Sequence, residues 1–293
     1  MSEYRIGIEA SKNFIEEAKT KGVYIIYDQY RCFYHNVELW YIWLYRSGIT
    51  NINIVTTTKD IQKDYLCIII AHLFSECPSN KYIAIQTEDL VQKKYIVEKL
   101  CMNACAIWDY SKSNIEFLKN NYNIHTGVHV PITYSDNTKL YNSIIFNNNF
   151  RCRKIDVIIP MHNQRRINIK NKLERIGLVC VNVWRNKLPK YANRCKLFLN
   201  VHRDSAEASL EIHRLMDVRN VPIVVVSEES LDLELQSKLD SIDFVKYDKI
   251  CQTCFEICRN KDLWNKKINE QLQMWKKFDN DTIHNALQSS LQY

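Results

Sequence analysis

The chain has 293 residues, 46% hydrophobic and 25% charged; that is enough for two domains with cores of their own, and outside the low-hydrophobicity, high-charge range of disordered sequences. Forty basic against thirty-three acidic side chains leave +7, spread along the chain with no basic arm, recognition helix or zinc module, so no nucleic-acid partner is expected. Residues 1–13 lack the apolar core of a secretory leader and no window reaches the ~20 apolar residues of a membrane helix; a cytoplasmic location is expected, with the 11 cysteines reduced.

In chain order, short runs rich in Val, Ile and Tyr predict strands at 23–27, 52–55, 66–71, 82–86, 104–108 and 127–130. Amphipathic stretches at 36–46 and 91–102 predict helices between them. Segment 111–120, SKSNIEFLKN, opens on a serine suited to cap the free amides of a third helix. The aromatic run 30–45, YRCFYHNVELWYIWLY, has Leu39, Trp40, Trp43 and Leu44 at helical spacing, which favours core packing over an acceptor groove. After Pro131 the periodicity fades through an Asn- and Ser-rich stretch that reads as a connection, dividing the chain into domains 1–150 and 151–293.

The second series predicts strands at 155–159, 178–183, 196–200, 222–226 and 243–245, with helices at 166–176, 206–218 and 231–239. Cys251, Cys254 and Cys258 form C-x2-C-x3-C with no second pair and no nearby His, a spacing that suits one buried face of a helix; no metal site is expected. Leu263, Trp264, Ile268, Leu272, Trp275 and Phe278 recur at three to four residues and predict a long C-terminal helix over 261–291. Alternating strands and helices imply an α/β chain with two Rossmann-like, mainly parallel sheets. Ligands in such folds gather outside the strand C-termini, and a cleft between the domains is the expected site.

The densest cluster of chemistry is 200–230, NVHRDSAEASLEIHRLMDVRNVPIVVVSEES. A strand ends at Asn200, a polar turn with His202 follows, and Glu211 and Arg214 stand one helical turn apart. Helix-start amides there attract phosphate, and a carboxylate accepts ribose hydroxyls. His202, Ser209, Glu211, Arg214 and Glu228 are the binding candidates of this block. Taken alone, an E-x-x-R pair is an ordinary surface ion pair worth a few tenths of a kcal/mol.

The order of these segments resembles the donor-nucleotide half of GT-B glycosyltransferases: strand, His-containing turn, E-x-x-R, then V-P-I-V-V-V-S-E. Upstream, IDVIIPMHNQRRINIKNKL at 155–173 is similar to the first strand–helix turn of that domain, and Arg165 and Arg166 are the candidates for a diphosphate. In the first half, YIAIQTEDL at 82–90 and AIWDYSKSNIEFL at 106–118 look like segments of the same enzymes. The resemblance implies a transferase using a UDP- or GDP-linked sugar as co-substrate, without metal, and a glycan or other hydroxyl acceptor. Its general base would be Glu88, Asp28 or His72, each at a strand end, with Glu88 fitting best. The runner-up is a non-catalytic protein of this fold that binds a nucleotide or a protein. Two departures stand out: Pro160, Met161 and His162 occupy the loop where the family has a glycine, and the E-x7-E pair of many retaining members is absent, with Arg203 and Arg219 eight residues either side of Glu211. The second departure leans toward inversion.

Overall fold

All strand pairings are parallel, and they form two separate sheets in a computed structural model that describes residues 4–27, 34–59, 61–70, 77–91, 93–130, 149–184, 187–203, 210–219 and 221–292. The chain divides into two compact units, Met1–Ser135 with Thr282–Tyr293, and Asp136–Asp281.

In the first unit, β1 (Val23–Tyr27), β2 (Ile52–Val55), β3 (Leu66–Ile70), β4 (Tyr82–Gln86), β5 (Ala106–Asp109) and β6 (Gly127–His129) are ordered β2-β1-β3-β4-β5-β6. Every residue of β3, β4 and β5 is buried, which is why they read as unbroken apolar runs instead of alternating ones. Helices cover both faces. On one side Val23, Ile25, Ile68, Ile83 and Trp108 meet α1 (Tyr4–Lys21) and α2 (Tyr34–Arg46) through Phe14, Ala18, Val37, Trp40 and Leu44. On the other, Tyr24, Ile26, Ile69, Ala84 and Ile107 meet Ile96 of α3 (Lys94–Ile96), Val97 and Leu100 of the π turn that continues it (Val97–Cys101), and Leu118 of α4 (Lys112–Tyr122).

The aromatic run therefore supplies core. Trp40 and Trp43 of α2 lie 4.9 and 5.2 Å from the Trp108 ring, and Trp108 donates to Ser11 Oγ at 2.9 Å. Helix α1 was not foreseen from the sequence. It comes so near the sheet that a Cβ on Gly7 would lie 2.7 Å from the Thr126 carbonyl oxygen. The expected helix 91–102 is instead a short α-helix running into a π turn, and the connection 131–148 lies outside the described residues.

In the second unit, β7 (Ile155–Pro160), β8 (Cys180–Val183), β9 (Cys195–Asn200), β10 (Val224–Glu228) and β11 (Asp243–Val245) are ordered β11-β10-β9-β7-β8. One face packs Val157, Ile159, Leu197, Leu199 and Val226 against α5 (Gln164–Arg175), α9 (Ile250–Arg259) and α10 (Lys261–Gln292). The opposite-facing Ile158, Phe198 and Val225 are fully buried as well. Cys251, Cys254 and Cys258 fall on α9, the last two inside this core. Two short helices, α6 (Leu188–Ala192) and α7 (Ile212–Met216), precede α8 (Leu233–Lys238). The helix expected over 206–218 is thus confined to α7 in its described part, with 204–209 outside it.

Trp264 anchors α10. It is 1% exposed, donates from Nε1 to the Lys196 carbonyl at 2.8 Å, and is flanked by Phe150 and the Arg153 guanidinium. Gln271, about two turns further along the same face, both accepts from Val225 N and donates to Val225 O, at 2.8 and 2.9 Å. Trp264→Ala is expected to lower stability by about 3–5 kcal/mol through cavity formation and the lost hydrogen bond. A urea denaturation midpoint unchanged from wild type would refute that anchoring role. Among the described residues no helix is long and apolar enough to cross a membrane.

Candidate functional site

In the second sheet β7 has β8 on one side and β9 on the other, so the crossover from β7 to β8 and the next one, from β8 to β9, run in opposite directions across the sheet. The crevice outside the C-terminal ends of β7 and β9 is where doubly wound sheets take ligands, because no helix covers the strands at that reversal. Three chain segments supply it with polar groups.

The first is the β7–α5 turn. Met161 adopts φ 64°, a left-handed conformation that costs a non-glycine residue about 1–2 kcal/mol. Here that conformation is taken by a methionine, its N–H held by the Val183 carbonyl at 2.7 Å. Asn163 then caps α5, its Oδ1 accepting from Arg166 N at 2.9 Å. Its Nδ2 is buried with no hydrogen-bond partner among the described residues, a donor left over at a helix start where anions are favoured.

Adjacent arginines on α5 diverge. Arg166 is 1% exposed and turns inward, donating from Nε and Nη2 to the Val201 carbonyl at 2.9 and 2.7 Å. It thereby ties α5 to the turn after β9. Arg165 forms a two-pronged ion pair with Glu228, whose side chain is fully buried, and its guanidinium carbon lies over the Tyr247 ring, 4.1 Å from the centroid. Tyr247 returns a hydrogen bond to the Arg165 carbonyl at 3.2 Å.

The second and third segments are the ends of β9 and β10, bridged by Glu211 at the cap of α7. Glu211 Oε2 accepts from His202 Nδ1 at 2.7 Å and Asn200 Nδ2 at 3.2 Å, while Oε1 accepts from Arg214 Nη1 at 2.7 Å. Arg166 Nη2 lies 3.7 Å from Oε1. Asn200 also reaches Ser227 Oγ at 3.1 Å, and Glu228 accepts from His202 N at 3.0 Å.

Burial would raise the Glu211 carboxyl, but Arg214, His202 and Arg166 outweigh it and hold it down to about 2. For His202 burial lowers the imidazole, and the hydrogen bond and charge of Glu211, with Glu228 and the Glu229 carbonyl, reverse this to a net rise. Three guanidinium groups, Arg165, Arg166 and Arg214, face two carboxylates, Glu211 and Glu228. The cluster thus carries one surplus positive charge before His202 is counted, which suits an anionic ligand.

Of the residues singled out from the sequence, Arg165, Arg166, His202, Glu211, Arg214 and Glu228 come together here; Ser209 lies outside the described residues. In the first unit, Glu88 follows β4 and is ion-paired to Lys93, with its carbonyl accepting from Asn114 Nδ2 at 2.8 Å. Asp28 and His72 lie outside the described residues. Asp109, fully buried at the end of β5, accepts from Ser111 N and Asn114 Nδ2 at 2.8 and 3.1 Å. Asn163, Asn200 and Tyr247 were not foreseen. The cap position in N-x-R-R marks Asn163, and the end of an apolar run marks Asn200, whereas nothing local marks Tyr247.

No family model matches the chain. Among solved structures it is similar to T4 phage β-glucosyltransferase, with a TM-score of 0.56 and 11% identity over 92% of this chain and 99% of that one; that enzyme has also been solved with UDP-glucose. It is similar as well to an α1,3-fucosyltransferase bound to GDP-fucose, with a TM-score of 0.53 and 12% identity over 96% of each chain. The chain has the GT-B fold of nucleotide-sugar glycosyltransferases. By sequence it is related to two uncharacterized proteins of Acanthamoeba polyphaga mimivirus: R358, 25% identical over 202 residues, and L140, 27% identical over 257 residues. The matches cover 67% and 83% of this chain. The first spans 66% of R358, just under two thirds of its length, and the second 80% of L140.

Proposed function

We propose that the protein is a glycosyltransferase that moves a sugar from a UDP- or GDP-linked donor to an acceptor hydroxyl, without a metal and with inversion. The observation that carries this reading is the convergence of Glu211, Arg214, His202, Arg165 and Asn163 outside the ends of β7, β9 and β10. In this reading the diphosphate sits at the start of α5, against Asn163 Nδ2 and Arg165, and the pentose meets Glu211. As the acceptor oxygen bonds to the anomeric carbon, the bond to the β-phosphate oxygen breaks and the nucleoside diphosphate leaves with the electron pair. Arg165 and the α5 amides stabilise that developing charge. The acceptor proton passes to a general base, for which Glu88, Asp28 and His72 are the candidates. The fold neighbours lend support, since they were solved with UDP-glucose and GDP-fucose.

The alternative, a nucleotide-binding protein without turnover, is favoured by one observation: the side chains of Met161 and His162 occupy the turn where a glycine would let backbone approach phosphate. A single experiment separates the readings. UDP-glucose and GDP-fucose, each at about 100 times its dissociation constant, are expected to add about 2.7 kcal/mol of native-state stability, with the sugar then transferred to a glycan or other hydroxyl acceptor and the nucleoside diphosphate released. Duplex DNA belongs in that acceptor panel because one fold neighbour is a DNA-modifying enzyme. A melting temperature that no nucleotide sugar moves sinks both readings, and binding without release leaves the second.

A further inference from the structure

His202 is fully buried, and both nitrogens of its ring face acceptors. Nδ1 lies 2.7 Å from Glu211 Oε2, and Nε2 lies 2.8 Å from the Glu229 carbonyl oxygen. A neutral imidazole carries one N–H, so either tautomer would set a ring lone pair against an oxygen lone pair at one of these contacts. Only the imidazolium donates to both. The charged groups around it come from every neighbouring segment: Glu211 and Arg214 at α7, Glu228 at the end of β10, and Arg165 and Arg166 on α5. Arg165 donates to the His202 carbonyl at 3.2 Å and pairs with Glu228, which also takes His202 N. Arg166 faces the far oxygen of Glu211.

Glu211 gains its orientation from this arrangement. Of about four lone-pair positions on a carboxylate, three are filled, by His202, Asn200 and Arg214. What remains accepts one further hydroxyl without rearrangement. We propose that His202 is a positioning residue, carried as the imidazolium in the folded protein, that holds Glu211 in the orientation that receives the donor's pentose. Loss of its proton frees the carboxylate and weakens nucleotide binding. The second step rests on the proposed function; the protonation state does not.

The raised His202 pKa makes its stabilising contribution complete below the ordinary value of 6.5 and lost as pH climbs through the higher folded midpoint. Nucleotide affinity linked to the same proton falls by at most about tenfold for each pH unit above that midpoint.

The test begins with the full wild-type chain and nitrogen-15 NMR of its imidazoles, assigned by comparison with His202→Gln. Two protonated ring nitrogens and a midpoint above 6.5 are expected, and Glu211→Gln should lower that midpoint. A neutral ring with a midpoint at or below 6.5 overturns the proposal. If His202→Gln fails to fold, the resonance that moves in Glu211→Gln identifies the ring, and its midpoint in wild type decides the charge state. UDP and GDP binding is then followed by calorimetry from about pH 6 to about pH 9, across the range where a raised histidine titrates. Affinity should fall above the ring midpoint in wild type and be weak and flat in His202→Gln. The same slope in both proteins overturns the positioning role. Absence of UDP and GDP binding at every pH defeats the donor reading, and the ring titration alone then decides the charge state of His202.

Discussion

Glu211→Gln is expected to cost up to about 3.5 kcal/mol of stability at neutral pH and to abolish the nucleotide-induced rise in melting temperature. Holding the carboxyl at about 2 rather than 4.5 favours the charged form by about 1.4 kcal/mol for every tenfold in proton affinity. The side chain keeps 19% of its exposure, so solvent screening makes the figure an upper one. The sign follows from the depressed folded value: the contribution is present above 4.5 and lost as pH falls from there toward 2. Glutamine preserves the shape but leaves the buried Arg166 and His202 without their shared countercharge. Urea unfolding of both proteins at a series of pH values provides the check. The wild-type curve should drop below 4.5 more steeply than the variant's, and parallel curves would remove Glu211 from the centre of the cluster.

Arg165→Ala should be costlier still, at about 3–5 kcal/mol, because it strands a buried carboxylate. Glu228 is fully buried, and of its two partners in the cluster it would keep only His202 N, at 3.0 Å. Lysine is a poor substitute, since it has neither the planar fork that grips both Glu228 oxygens nor the guanidinium that lies over Tyr247. The double variant Arg165→Ala/Glu228→Gln separates structure from binding. It should recover much of the lost stability by removing the stranded charge, while UDP affinity stays at the level of the single variant. Recovery of both would make Arg165 a structural counter-ion and nothing more.

The strands were legible because parallel sheets buried on both faces need unbroken apolar runs, as in LCIII and YIAIQ. Ser111 as a cap was equally plain, and its hydroxyl does sit at the start of α4. Helix α1 escaped because its closest approach to the sheet uses Gly7, Ser11 and Ala18; small residues allow close packing yet add little to hydrophobic periodicity. The helix over 206–218 was drawn too long because propensity is local. Glu211 has φ −76° and ψ 63°, outside the helical region, and there its carboxylate is drawn to His202 and Asn200.

By itself the sequence determined two α/β halves, the positions of their strands, and the block in which Glu211, Arg214, His202 and Glu228 would meet, since each depends on patterns spanning a few turns or one strand. Tertiary structure alone decided what those groups do to one another. Arg165 and Arg166 are indistinguishable as neighbouring letters, but adjacent helical positions point about 100° apart, and the packing of α5 on the sheet sends one inward to Val201 and the other to Glu228. Tyr247 reaches Arg165 from 82 residues away. The two protons of His202 are set by Glu211 and the Glu229 carbonyl, brought to either side of one ring by separate segments. Charge state and orientation depend on distances of a few ångströms between remote parts of the chain, and those distances exist only once the sheet has formed.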